Sequence, residues 1–565
     1  MSEIAPAPGN AVLPIVGETP VKSEPRKRSG AALVAAGILL SRLAGLVRQR
    51  VFAHYLGTLD AADAYNAAFK IPNLLQNLLG EGVLSASFIP VYAQLRAKAE
   101  KLAQNEADAR RLASAVAGLL GVVVAVLCLL GVLATPYLID AVAPGFTGEK
   151  RALTVQLVQI FFPGIALLVL SAFCIGVLNS HHKFFLSYAA PVVWSAAQIA
   201  ALIYGGRSHA GGTATLALYA AWGSVAGALL QLLVQMPSVL RLLGGLGPTG
   251  FWPTLGRGNA HAAEVVKNFV PVVTGRGVVQ LSAYLDSFIA SWLPTGGVAA
   301  LGYAQTIYLL PISLFGMSIS AAALPSMSAA QGEGGEEAQE ALRTQLQRGL
   351  RAIAYPVIPA VVALLVLGDV ICAALFRTGR FGADQVSYVS AILAGSTIGL
   401  LAATQARLYS SAYYALKDTK TPLGFAALRV LATGVLGLIC GLWLPRALHL
   451  DPELGAVGLT ASAGVAGWGE FLLLQRGIHA RIGRVSVPQR LQLELWGAAA
   501  IAGVVAVAVR FGLEFAPAFL RHSWPRAAMV LGAYGVTYLL VTNMLRVPEA
   551  DAMLRKLRLV RSRAA

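Results

Sequence analysis

The residues with the most chemical potential form a regular series near the N-terminus. Asp63, Asn66, Lys70, Asn73, Asn77, Glu81 and Ser85 are separated by 3, 4, 3, 4, 4 and 4 residues. Steps of three and four keep all of them on one stripe of a helix, and the stripe runs about 33 Å at 1.5 Å per residue. Upstream, Ser41, Arg42, Gly45, Arg48 and Gln49 make a second polar face, with Ser41 and Arg48 seven residues apart, as are Arg42 and Gln49. A third group is Gly275-Arg276-Gly277, Gln280, Ser282 and Asp286. Arginine stays charged throughout the physiological range, and its planar fork matches phosphate oxygens. Such groups in apolar surroundings suit an anionic headgroup.

The surroundings are apolar. Of the 565 residues, 56% are hydrophobic types and 13% are charged, with a mean hydropathy of +0.66. That charge content is about half the usual soluble value. It excludes a soluble enzyme, a secreted disulfide scaffold and a disordered hub, and predicts a polytopic, all-α membrane protein. Cys128, Cys174, Cys372 and Cys440 lie in or beside apolar runs without metal-ligand spacing and read as packing residues. Residues 1–28 read as a cytoplasmic tail ending in Pro25-Arg26-Lys27-Arg28, not as a signal peptide.

Fourteen spans are predicted: 30–57, 62–94, 111–139, 152–180, 184–206, 213–240, 262–292, 297–328, 350–376, 386–415, 422–445, 453–475, 491–513 and 527–546. With both termini cytoplasmic, inner loops and tails carry 28 Lys and Arg and the outer loops carry 9, as the positive-inside rule requires. The net charge of +17 thus follows topology and does not point to nucleic acid. No loop is long enough for a catalytic or ATPase domain, and no Walker or dinucleotide-binding pattern occurs. A transporter is expected, and no enzyme.

Charge inside a membrane is costly and faces a cavity or a partner. The stripe from Asp63 to Ser85 therefore lines a hydrated cavity, or glues helices together with Asp63 and Lys70 as an ion pair. Pro72 is expected to bend this span. On an ideal helix Arg42 and Arg48 point about 120° apart. Arg50 reads as a snorkelling side chain near the outer end. The glycines around Arg276 permit local unwinding, as in transporter helices. Asp286 is a candidate ligand for a monovalent cation, or bonds Ser282. Arg407 and Arg429 read as interfacial anchors or as cavity residues.

A weak repeat is visible. Aligning Pro90 with Pro325 sets Leu74, Leu79, Ser85 and Ala86 opposite Leu309, Leu314, Ser320 and Ala321. This predicts two six-helix lobes, 29–243 and 244–476, followed by two extra spans in 477–546 and a cytoplasmic tail, 547–565. A site at the lobe interface would suit alternating access.

Ser41-Arg42-Leu-Ala-Gly45-Leu-Val-Arg48, the run Asp63-Ala-Tyr65-Asn-Ala-Ala-Phe69-Lys70-Ile-Pro72-Asn73, and Glu81-Gly82…Phe88-Ile-Pro90 resemble the bacterial lipid II flippase family (MurJ, formerly MviN). Ala143-Pro-Gly-Phe146 and Asp418-Thr-Lys-Thr-Pro422 resemble its loops. The resemblance implies the multidrug/oligosaccharidyl-lipid/polysaccharide exporter fold in the bacterial cytoplasmic membrane, with spans thirteen and fourteen forming a lipid-tail groove. It implies transfer of undecaprenyl-diphosphate-linked disaccharide-pentapeptide to the outer leaflet for peptidoglycan synthesis. Arg42, Arg48, Asp63 and Glu81 match family positions, with Arg42 and Arg48 as diphosphate contacts. The expected partners are lipid II, membrane lipids and the cell-wall synthesis machinery. No cofactor is expected beyond a coupling cation or the membrane potential. Three positions depart from the pattern: Gln49, Gln76 and Gln305-Thr306, the last two where the family carries cations. Arg276 is the expected substitute. The departures leave two alternatives, a flippase for another polyprenyl-diphosphate glycolipid and a small-molecule exporter of the same superfamily.

Overall fold

The computed structural model describes residues 28–102, 106–208, 212–247, 250–256, 258–330 and 335–556; within its helices some side chains, including those of residues 81 and 274–283, lie outside the described set. Among the described residues the only extended pairings are two isolated bridges, Leu246 with Phe251 and Thr378 with Phe381. Everything else is helix and short connection. Lipid offers no partner to backbone N–H and C=O groups, so each spanning segment must satisfy its own.

The first bundle contains α1 (Arg28–Leu56), α2 (Asp60–Leu79), α3 (Glu81–Lys101), α4 (Ala107–Val142), α5 (Gly148–Ser180), α6 (Phe184–Arg207) and α7 (Thr213–Leu242). The centre is α5, whose residues 171–178 are all buried, because a helix apolar on every face can be packed on every face. It packs on α2, α4 and α7, while α1 packs on α6.

The long α8 (Ala260–Ala290) starts at Asn259, whose side chain accepts from His261 N at 3.0 Å and Ala262 N at 3.1 Å, satisfying two orphan donors. It is helical throughout, so the glycines beside Arg276 do not unwind it. It packs on α3 and α4 of the first bundle and on α15 (Lys420–Leu438) of the second, and so bridges the two.

The second bundle continues with α9 (Gly297–Pro311), α10 (Ser318–Ala330), α11 (Gly335–Val366), α12 (Gly368–Phe376), α13 (Ala383–Thr397), α14 (Leu400–Ala415), α15, the short α16 (Leu444–Ala447) and α17 (Leu454–Ile482). Then α18 (Gln489–Gly512), the short α19 (Ala518–Arg521) and α20 (Ser523–Met544) follow, with α18 docked on α11 and α20 on α12. The chain ends in α21 (Pro548–Lys556).

A helix occurs in each of the fourteen expected spans. Among the described residues, however, 11 are long and apolar enough to cross a membrane, or 12 if the pair α13 and α14, bent by 41°, is one span. The first and seventh fall outside that number. They carry Arg42, Arg48 and Arg50, and Glu264, Lys267, Arg276 and Asp286.

The second expected span is broken. Gly80 is extended (φ −82°, ψ −155°) between α2 and α3, while Pro72 sits inside α2. A Cβ at Gly80 would lie 2.2 Å from the Gln76 carbonyl oxygen, so the break requires glycine. The repeat alignment sets Gly80 opposite Phe315. Phe315 lies in a π-helical turn, Ile312–Met317, that interrupts the eighth span between α9 and α10. Both repeats are thus interrupted at the same place.

The loops 181–183, 416–419 and 483–488, with the described parts 243–247 and 250–256, lie at the Lys/Arg-rich end of the molecule. Those at 57–59, 143–147, 291–296 and 377–382 lie at the Lys/Arg-poor end.

Candidate functional site

The polar stripe does not act as one surface. At the cation-poor end Asp63 is 1% exposed. Its carboxylate accepts from Lys150 Nζ at 2.7 Å, Gly296 N at 2.8 Å and Ala299 N at 2.8 Å. The two amides are the start of α9, so a first-bundle carboxylate caps a second-bundle helix, where its charge also meets the positive end of the helix dipole. Gly296 takes φ +92° to present its N–H. The alternative Asp63–Lys70 pair is therefore not formed, and Asp63 is buried among these partners. Lys150 also holds Asp60 at 2.8 Å and stands 4.5 Å from the Phe146 ring centroid.

Other bonds join the bundles at this end. Tyr303 Oη donates to Gly57 O at 2.9 Å, Thr295 Oγ1 to Asp60 Oδ1 at 3.0 Å, and Gly145 N to Ser291 Oγ at 3.0 Å. Arg50, expected to snorkel, instead donates from Nη1 to Ala374 O at 2.7 Å and Leu375 O at 2.8 Å. These carbonyls end α12, where cations are favoured.

Half-way along α2, Lys70 Nζ donates to Ser287 Oγ, and Tyr284 Oη donates to the Lys70 carbonyl at 2.9 Å. Asp286 is within electrostatic reach of both Lys70 and Arg429. Arg429 in turn pairs with Glu470 on α17 at 3.0 Å. Thus Arg429 is held in an ion pair between α15 and α17. Glu470 escaped the sequence reading, although it is the only acid in the interior of the twelfth expected span, away from Glu453 at its edge, and that isolation was the available signal.

With two cations in reach, Asp286 suits a counter-ion better than a metal ligand. Among the described residues no group of three His, Cys, Asp or Glu could hold a metal ion. Its alternative partner Ser282 lies outside the described side chains, as do Arg276 and Glu81.

On α1, the Arg48 guanidinium lies 4.5 Å from the centroid of Trp194, facing the first bundle's interior. Arg42 is exposed near the middle of α1, and Ser41 beside it is half-buried. The two arginines have different surroundings, as their angular separation required. Of the remaining stripe, Asn66 bonds its own helix at Ala62 O (2.8 Å), Asn73 and Asn77 are half-buried, and Ser85 is exposed. At the departures, Thr306 Oγ1 turns back to Gly302 O at 2.9 Å, Gln305 is exposed and Gln49 and Gln76 are half-buried.

An apolar groove of about 580 Å³ runs between α11 and α20, lined by Phe315, Tyr355, Pro356, Pro359, Tyr534 and Tyr538 among others. Pro359 has no N–H, so the Tyr355 carbonyl lacks its partner in α11. Tyr538 Oη supplies one at 2.7 Å, and Tyr534 Oη bonds Pro359 O at 2.8 Å. At the cation-rich mouth of the groove, Arg351 on α11 pairs with Glu549 on α21 at 3.0 Å.

Asp418 in the Asp-Thr-Lys-Thr-Pro loop accepts from Lys420 N, Thr421 N and Thr421 Oγ1, and from Arg481 at 2.7 Å. Thr421 first and Arg481 second hold its carboxyl well below the usual range.

This arrangement defines a class by its fold, the polytopic all-α membrane proteins. The chain is similar to a solved structure described as the inward-facing conformation of a multidrug resistance MATE family transporter of the MOP superfamily (18% identical, TM-score 0.61, 80% of this chain and 98% of that one). Within the class, the sequence model for Lipid II flippase MurJ matches residues 52–528. A probable lipid II flippase MurJ of Rhizobium tropici is 31% identical over 502 residues, covering 87% of this chain and 86% of the relative. The lipid II flippase MurJ of Burkholderia cenocepacia is 31% identical over 455 residues, with coverages of 80% and 84%. A solved lipid II flippase MurJ, described as inward closed, has a TM-score of 0.71 at 22% identity and covers 93% of this chain and 99% of its own. The chain belongs to the lipid II flippase (MurJ) family, whose members are multi-pass transporters of the bacterial inner membrane.

Proposed function

We propose that this chain carries lipid II from the inner to the outer leaflet by alternating access, with both termini and the cation-rich end cytoplasmic. The observation that carries the reading is the placement of the bonds between bundles. Asp63, Lys150, Tyr303, Ser291 and Arg50 close the cation-poor end, and Arg42 stands exposed further toward the other end.

The diphosphate meets Arg42 and Arg48 from the inner leaflet, with Arg276, Ser41, Lys70, Asn73, Asn77 and Glu81 as further candidate contacts. The glycopeptide occupies the space between the bundles while the prenyl chain lies in the groove of α11 and α20. Binding shifts the bundles only through unequal affinity for the two states. Closing the cation-rich end then breaks the Asp63 clamp. The membrane potential supplies roughly 2.3 kcal/mol per charge per 100 mV to reset the empty carrier, and a coupling cation is the alternative. Cell-wall synthases are the natural consumers of the product.

The test is a leaflet-accessibility assay for lipid II in cells depleted of their own flippase. The wild-type chain should restore outer-leaflet lipid II, and Arg42→Ala or Arg48→Ala should not. Full restoration by both variants would refute the assignment of the diphosphate contacts.

A further inference from the structure

Among the described residues, α14 packs chiefly on α10, α11 and α17, with slighter contact to α13 and α15. Thr404, Gln405, Ala406, Leu408 and Tyr409 are all buried, yet Arg407 between them is exposed. Arg407 is within electrostatic reach of Arg429 on α15 and Tyr308 on α9, so this exposure is to the space those helices bound. A guanidinium there is tolerated only where water or an anion meets it.

Arg407 ends a chain of charges that begins on the first bundle. Asp286 is within electrostatic reach of Lys70 and of Arg429, and Arg429 pairs with Glu470 at 3.0 Å. Arg407 and Arg429 stand near one another and near Tyr308 on α9. Glu470 pairs directly with Arg429 and also attracts Arg407, and Asp286 is within electrostatic reach of both Lys70 and Arg429. The chain holds three cations and two carboxylates, an excess of one positive charge; only Arg429 is in a direct ion pair, and Arg407 shares the same Glu470 at longer range.

We propose that Arg407 is the second bundle's contact for the diphosphate of the lipid substrate. This rests on the proposed lipid-diphosphate substrate. A dianion held by Arg42 or Arg48 from one bundle and by Arg407 from the other draws the two together at the cation-rich end. Substrate binding thereby becomes bundle closure. Glu470 sets the strength of the grip, because it withdraws Arg429 from the same anion.

The experiment uses the purified full chain and two probes, undecaprenyl diphosphate and undecaprenyl monophosphate. Wild-type protein should prefer the diphosphate. Arg407→Gln should weaken diphosphate binding about tenfold, roughly 1.4 kcal/mol, with monophosphate binding unchanged, and Arg407→Lys should recover most of the loss. Glu470→Gln, which frees Arg429, should strengthen diphosphate binding, an effect that damaged folding does not produce. Equal loss of both probes in Arg407→Gln, or an unchanged preference, would overturn the assignment to Arg407 alone. A wild-type protein that does not distinguish the probes would instead overturn the diphosphate reading beneath it.

Discussion

Asp63→Asn perturbs the clamp with almost no change in shape. Asparagine can still accept one of the two α9 amides through its oxygen. Its NH2 group cannot accept from the other, and the charge facing Lys150 is gone. A hydrogen bond to a charged group contributes about 1.5–3 kcal/mol, and breaking a buried ion pair costs about 3–5 kcal/mol. Lys150 retains Asp60 at 2.8 Å, so it is not left unpaired and the loss stays within the hydrogen-bond range alone. We take about 2–3 kcal/mol against the state closed at the cation-poor end. At about 1.36 kcal/mol per decade this shifts the equilibrium roughly 30- to 150-fold toward opening. Ser291 reports the shift. It is 4% exposed and its hydroxyl accepts from Gly145 across the interface. With the four native cysteines replaced, Ser291→Cys should react with a membrane-impermeant maleimide added from the outer side far faster in the Asp63→Asn background. Lipid II transport should fall in the same cells, since the carrier rarely closes outward to reload. A labelling rate within twofold of the parent, in folded Asp63→Asn protein, would show that the clamp does not hold the gate.

Two further outcomes are expected. Tyr538→Phe leaves the Tyr355 carbonyl without a donor beside Pro359; it should cost about 1–2 kcal/mol and lower the thermal midpoint, and an unchanged midpoint would show the bond to be incidental. His181, in the loop after α5, meets Tyr92 Oη at 3.0 Å, and burial first and the nearby Arg96 second push its imidazole down to about 4. The unfolded chain, with an ordinary histidine near 6.5, takes up that proton first. Stability should therefore be level above about pH 6.5 and fall as pH drops toward 4, with the fall reduced in His181→Gln. An identical acid profile in wild type and variant would remove His181 as its cause.

Much of this protein was legible because its solvent is lipid. Apolar runs must become helices there, so Gly148–Ser180 and Thr213–Leu242 follow almost directly from composition. The charges kept inside those runs mark the site for the same energetic reason, and the stripe from Asp63 onward was visible in its spacing alone. Gly80 shows where that legibility stops. The stripe continues through it in register, but the backbone does not, because the break depends on a close approach to the Gln76 carbonyl.

What sequence could not supply was the partner of each charge. Asp63 and Lys70 share a helix face seven residues apart, and local geometry alone allows them to pair. The fold instead brings Lys150 and the start of α9 to one, and Ser287 and Asp286 to the other. Likewise the sequence set Arg429 and Glu470 in different spans, and only the packing of α15 on α17 joined them. Helix formation in a membrane is decided residue by residue along the chain. Charge pairing is decided by which helices pack together, through contacts 41 to 236 residues apart in this chain.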